Sequence, residues 1–156
     1  LKLSSYNIVR YICLFNWIYI DNYVSEVTPK ILPEELAVKS ALPALRASIA
    51  KTLMTEYGLT QIRVAELLGV TQTAISYYIS NKRGSAAQES IQADEIKQTV
   101  IEISSMLVQE EIDRRAVATK LTEALRYIKR NHLLCDVHKQ YEPQLDADAC
   151  DVCDIA

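Results

Sequence analysis

The sequence predicts an all-α fold, and three observations predict it. Only three glycines and one phenylalanine occur among the 156 residues, which argues against a sheet-rich chain. Apolar residues recur at helical spacing over long windows, as at Leu45, Ile49 and Leu53 or at Ile96, Val100, Ile103 and Leu107. The stretch Thr60 to Gly84, TQIRVAELLGVTQTAISYYISNKRG, reads as two short helices about a glycine turn. With 49% hydrophobic and 24% charged residues, the chain suits one compact helical domain or two small ones.

Residues 1–30 are expected to form an N-terminal extension. Tyr11 to Ile20 is mostly apolar, interrupted only by Asn16, and is too short to span a bilayer. Lys2 and Arg10 give a weakly basic start, but the cleavage pattern of a signal peptide is missing. No methionine precedes Met54, so one reading places the natural start near Val24. The other makes the segment a hydrophobic arm that packs on a partner.

Residues 31–84 are expected to form one domain. Pro33-Glu34-Glu35 opens a helix, with proline in the first turn and acids near the positive end of the dipole. Pro43 restarts or kinks it. From Ala44 to Tyr57 the apolar stripe Leu45, Ile49, Leu53 marks a core helix, and Gly58 stops it. Val64, Ala65 and Leu68 share one face of the next helix, Gly69 turns the chain, Val70 plugs the turn, and Thr71 caps the helix that carries Ile75 and Ile79. Ala65 is small where the two helices cross. With those positions inside, Gln72, Thr73, Ser76 and Tyr77 are left on the outer face as candidate base readers. Asn81, Lys82 and Arg83 follow as candidate phosphate contacts.

These residues resemble the lambda-repressor-like (Cro/C1, or XRE) helix-turn-helix family, through Thr60-Gln61, Ala65, Leu68 to Gln72 and Ile75-Ser76. The resemblance implies that Gln61 grips backbone phosphate and braces Gln72, which opens the recognition helix. A glutamine amide pairs bidentately with adenine in the major groove, worth about 1–3 kcal/mol of discrimination. The same fold used only for protein contact is the competing interpretation, because fold does not dictate function. Two glutamines at helix starts and the Asn-Lys-Arg run favour DNA.

Residues 85–131 are expected to form a packing or dimerisation region. Ser85 to Ser90 reads as a hinge. Ile96, Val100, Ile103 and Leu107, then Val117, Leu121, Leu125 and Ile128 after a break near Glu111 to Asp113, mark two amphipathic helices. They either fold back on the first domain or pair with a second subunit; the homodimer is favoured, because two half-sites about 34–36 Å apart double the DNA contacts. Arg114, Arg115, Lys120, Arg126, Lys129 and Arg130 read as a solvated face paired with nearby acids.

Residues 132–156 hold three of the four cysteines. Cys135 and His138, then Cys150 and Cys153, make two chelating half-sites, each with its ligands separated by two residues, so a small metal-binding tail is expected. Zinc is the first choice of cofactor and an iron-sulfur cluster the second. Disulfides and unliganded thiols are the remaining options. His132 reads as a helix-end residue facing carbonyls. The order of Leu32-Pro33, Leu42 to Arg46, Val70 to Gln72 and a cysteine-bearing tail also resembles archaeal predicted transcriptional regulators. In that group the module is also found joined to a thiamine-phosphate synthase-like domain. The present sequence has none, so the resemblance implies regulation and identifies no thiamine ligand.

The formal net charge of -3 discourages a nucleic-acid reading by itself, but its distribution does not. The motif carries Arg63, Lys82 and Arg83 against Glu66, whereas the acids gather in the tail. The expectation is therefore a cytoplasmic transcription regulator that binds double-stranded DNA, with no membrane contact and with its effector unspecified. A metal-bound adaptor that recruits another protein is the alternative. No glycine-rich phosphate loop or nucleophile-base set supports an enzyme.

Overall fold

The computed structural model describes residues 29–80, 82, 84–144, 146, 150 and 152–155. The chain divides into two compact units, Leu1–Lys30 and Ile31–Ala156. Of the first, only residues 29 and 30 are described. The apolar stretch Tyr11 to Ile20 and the expected start near Val24 lie outside the described residues.

The second unit opens with α1, Pro33–Leu36, where the Glu35 carboxylate accepts a hydrogen bond from the Leu32 N–H at 3.1 Å. One wide π-helical turn, Ala37–Ala41, follows, and the Leu42 N–H reaches back to the Ala37 carbonyl. Pro43 explains the widening, since proline has no N–H to give and its ring crowds the carbonyl one turn back. The chain passes through that turn into α2, Leu42–Thr55, without a break. Leu45, Ile49 and Leu53 are fully buried along it, as their spacing requires, and so are Ala44 and Ala50. A helix apolar on so much of its circumference has neighbours on several sides. Here they are α3 (Gln61–Leu68), α4 (Gln72–Ile79) and α5 (Asp94–Leu107).

The Ser85–Ser90 stretch is no hinge. Ala87 and Ser90 are buried, and the Ser90 hydroxyl donates to the Leu133 carbonyl. Small side chains let the segment press into the core, which polarity alone does not reveal. Gly84 shows the same tightness: a Cβ there would sit 2.9 Å from the Pro43 carbonyl oxygen, and its φ is +81°. Only glycine fits that approach and that backbone.

Beyond a short 3-10 turn, Glu89–Ile91, the four heptad-spaced residues of α5 are all buried. Ser104 is fully buried among them and donates to the Val100 carbonyl at 2.7 Å, which satisfies its hydroxyl. Asp113 then caps α6, Arg114–Arg130, by accepting from the Arg115 and Ala116 N–H groups at 2.9 and 3.0 Å. Helix α6 packs on α5 and reaches back to the π-helical turn. The two amphipathic helices thus fold back on the first bundle, and the buried stripe of α5 is used within the chain. Of the basic residues on α6, Lys120 pairs with Glu102 at 2.9 Å and Lys129 with Glu34 at 2.6 Å. Helix α7, Cys135–Tyr141, and a final 3-10 turn, Val152–Ile155, complete the unit. No described helix is long and apolar enough to cross a membrane.

Candidate nucleic-acid interface

Helix α3 begins where the Thr60 hydroxyl accepts from the Arg63 N–H at 3.3 Å. It ends at Gly69, whose φ of +63° places it in the left-handed region. There the Val70 N–H donates to the Ala65 carbonyl at 3.0 Å and the Gly69 N–H to the Glu66 carbonyl at 3.3 Å, closing a Schellman turn. Thr71 follows immediately and accepts from the Ala74 N–H at 3.1 Å, starting α4. Two side-chain caps and one glycine therefore fix the angle between the helices with few residues between them.

On α4 the inward face is Ala74, Ile75 and Tyr78, all buried. The tyrosine was not singled out from sequence, although its position four after Ala74 carries the signal. Gln72, Thr73, Ser76 and Tyr77 are exposed together on the opposite side, as expected. Lys82 lies just beyond the helix, with its N–H donating to the Tyr77 carbonyl at 2.9 Å and its ammonium 5.8 Å from the centroid of the Tyr77 ring. That geometry holds a positive charge beside the outer face. Asn81 and Arg83 lie outside the described residues.

Gln61 stands half-buried at the first position of α3, and Gln72 is exposed at the first position of α4. Among the described residues no hydrogen bond joins their side chains. Arg63 is engaged with Glu66 at 2.9 Å, with both side chains more than half exposed. Such a pair is easily exchanged for a phosphate contact, because surface ion pairs contribute only about 0–1 kcal/mol.

The cysteine tail is arranged differently from the expected pair of tight loops. Cys135 and His138 sit three apart on α7, on one side of a helix, and Cys153 lies in the last 3-10 turn. Cys135, His138, Cys150 and Cys153 nevertheless line one cavity of about 10 Å³, together with Pro33, Leu36, Lys129 and Leu134. The ring of His138 is buried, with Nε2 3.2 Å from the Ile31 carbonyl oxygen. Cys135 Sγ is 3.7 Å from Nδ1 of His132, whose φ of +56° is the only positive value outside glycine among the described residues. Burial pushes the Cys153 thiol up from its ordinary range, and the neighbouring Cys135 and Cys150 sulfurs add to that. Among the described residues, no three His, Cys, Asp or Glu side chains have closed to the spacing of a bound ion. The tetrahedral pocket read from the spacing is therefore not preformed.

Residues 51–93 match the family model described as Helix-turn-helix. The match runs from the second half of α2 across α3, the Gly69 turn, α4 and the 3-10 turn that follows, and it agrees with the resemblance to the Cro/C1-type class. It supports a DNA-binding regulator. No curated protein and no solved structure matches the chain.

Proposed function

We propose that this protein is a sequence-specific transcription regulator in which α4 enters the major groove of double-stranded DNA. The observation that carries the reading is the division of α4: Ala74, Ile75 and Tyr78 anchor it in the core, while Gln72, Thr73, Ser76 and Tyr77 stand clear of it. Those four side chains supply amide and hydroxyl groups for base edges and an aromatic ring for a thymine methyl. Gln61, at the start of α3, and Lys82, beyond α4, are placed in the reading on phosphates, with Asn81 and Arg83 beside them in sequence. No catalytic group belongs to this reading.

The chain acts as a homodimer in the cytoplasm, on a site with two-fold symmetry. One eight-residue recognition helix offers few contacts, and a second copy doubles them. The buried stripe of α5 is already used inside the chain. Val117, Leu121 and Leu125 on α6 are half-buried and packed against the core, whereas Ile101 and Val108 are exposed and offer apolar surface for pairing.

The test is selection of DNA sites by the full chain, followed by affinity measurements over a range of salt concentration. Gln72→Ala should lose about 1–3 kcal/mol at one base position and relax selection there. Lys82→Ala should weaken every sequence alike and lower the salt slope by about 1. Equal losses on every sequence for both variants would refute the division of roles. Absence of any salt-dependent DNA binding would favour the adaptor alternative, in which the helices recruit another protein.

A further inference from the structure

We infer that Cys135, His138, Cys150 and Cys153 bind a single zinc ion that fastens the C-terminal tail against α1 and the end of α6. The inference stands independently of the DNA reading. Its first support is convergence: two cysteine-bearing segments, separated by the turn after α7, line the same small cavity. Three sulfurs and one imidazole are an ordinary structural zinc set.

The second support is the orientation of His138. A carbonyl oxygen only accepts, so the Ile31 carbonyl 3.2 Å from Nε2 fixes the proton on that nitrogen. In that tautomer of the neutral ring, Nδ1 carries the lone pair. A histidine that ligates a metal through one nitrogen ordinarily donates from the other to a carbonyl or carboxylate, which is the arrangement already in place here.

The scale of the site suits one ion. A cavity of about 10 Å³ is about the space of one small particle. Three thiolates around a divalent ion leave one net negative charge. Lys129, with its side chain only 13% exposed, borders the cavity while its ammonium is paired with Glu34 at 2.6 Å. Among the described residues from 142 to 153 no side chain is buried, so coordination would add order there. Binding would draw the four donors, which already line one cavity, into coordination.

The experiment is metal and acid-labile sulfide analysis of the full chain purified under reducing conditions, with and without added zinc. About one zinc per chain and no sulfide is expected. Cys150→Ser and Cys153→Ser should each lose most of the metal, whereas Cys13→Ser, at the fourth cysteine, which lies near the start of the sequence, should retain it. Should the serine variants fail to fold, cobalt substitution of the unaltered chain decides: intense thiolate-to-cobalt absorption is expected, strengthened in His138→Cys, where a fourth sulfur replaces nitrogen. Removing zinc with a chelator should make residues 142–153 the first site of limited proteolysis. A chain that takes up no metal, iron with sulfide in place of zinc, or a cobalt spectrum without thiolate absorption would each overturn the inference.

Discussion

The turn after α3 and the turn after α6 use one backbone motif with different residues at its left-handed position. After α3, Val70 and Gly69 donate to the Ala65 and Glu66 carbonyls. After α6, Leu133 and His132 donate to the Ile128 and Lys129 carbonyls at 3.1 and 3.0 Å. The φ values are close, +63° at Gly69 and +56° at His132. Glycine meets that demand without strain, whereas a residue with a Cβ is held there at a cost of about 1–2 kcal/mol. The first turn sets an angle between two helices and carries no side chain. The second retains an imidazole in a strained position 3.7 Å from a cysteine sulfur, so it holds a side chain near the thiol-lined cavity as well as turning the chain.

The comparison breaks most visibly at Ile128, the residue whose carbonyl closes the second turn. Its side chain is fully buried, while the equivalent position of the first turn is Ala65. Ile128→Ala should destabilise the chain by about 2–5 kcal/mol, read from the denaturant midpoint, because the surroundings collapse only partly into the space left. Next in size is Gly69→Ala. Among the described residues nothing lies within 4 Å of the added Cβ, so the loss of about 1–2 kcal/mol is conformational and should be matched by weaker DNA binding. His132→Gly sharpens the contrast from the other side, raising thermal stability by up to about 1 kcal/mol.

The smallest effect is electrostatic. The Lys129 ammonium beside Glu34 holds its carboxyl below the usual carboxylate range. A carboxylate lowered on folding adds stability above its unfolded pKa, and that stability is lost as pH falls through the folded value. Glu34 is largely exposed, so solvent screening limits the change to less than about 1 kcal/mol. Acid titration of unfolding should show the loss setting in below the ordinary carboxylate value of 4.5, and Glu34→Gln should remove it.

The helix-turn-helix was legible because every device in it is local. Thr71 caps within three residues, Gly69 turns in one, and the core positions Val64, Ala65 and Ile75 repeat at helical spacing. Leu45, Ile49, Leu53 and the stripe of α5 were legible for the same reason. What escaped depends on distant partners. Ser90 looks like hinge material until the Leu133 carbonyl, 43 residues away, gives its buried side chain a partner. The π-helical turn before Pro43 was readable only as a restart or kink, since proline states where a ladder fails and not how it is repaired. The cysteine spacing named four side chains that line one cavity, yet it did not show a helix beneath the first pair or Pro33 and Lys129 beside them.

The contact between Ile31 and His138 bears on how the chain is made. The carbonyl that opens the compact unit is met by a ring 107 residues later. At ribosomal speeds of about 5–20 residues per second, that partner emerges roughly 5–20 s afterwards. The local turns of the helix-turn-helix have time to form first, and the fold is closed from its far end. A nascent chain halted before α7 would hold its recognition helix while Ile31 still waited for its partner.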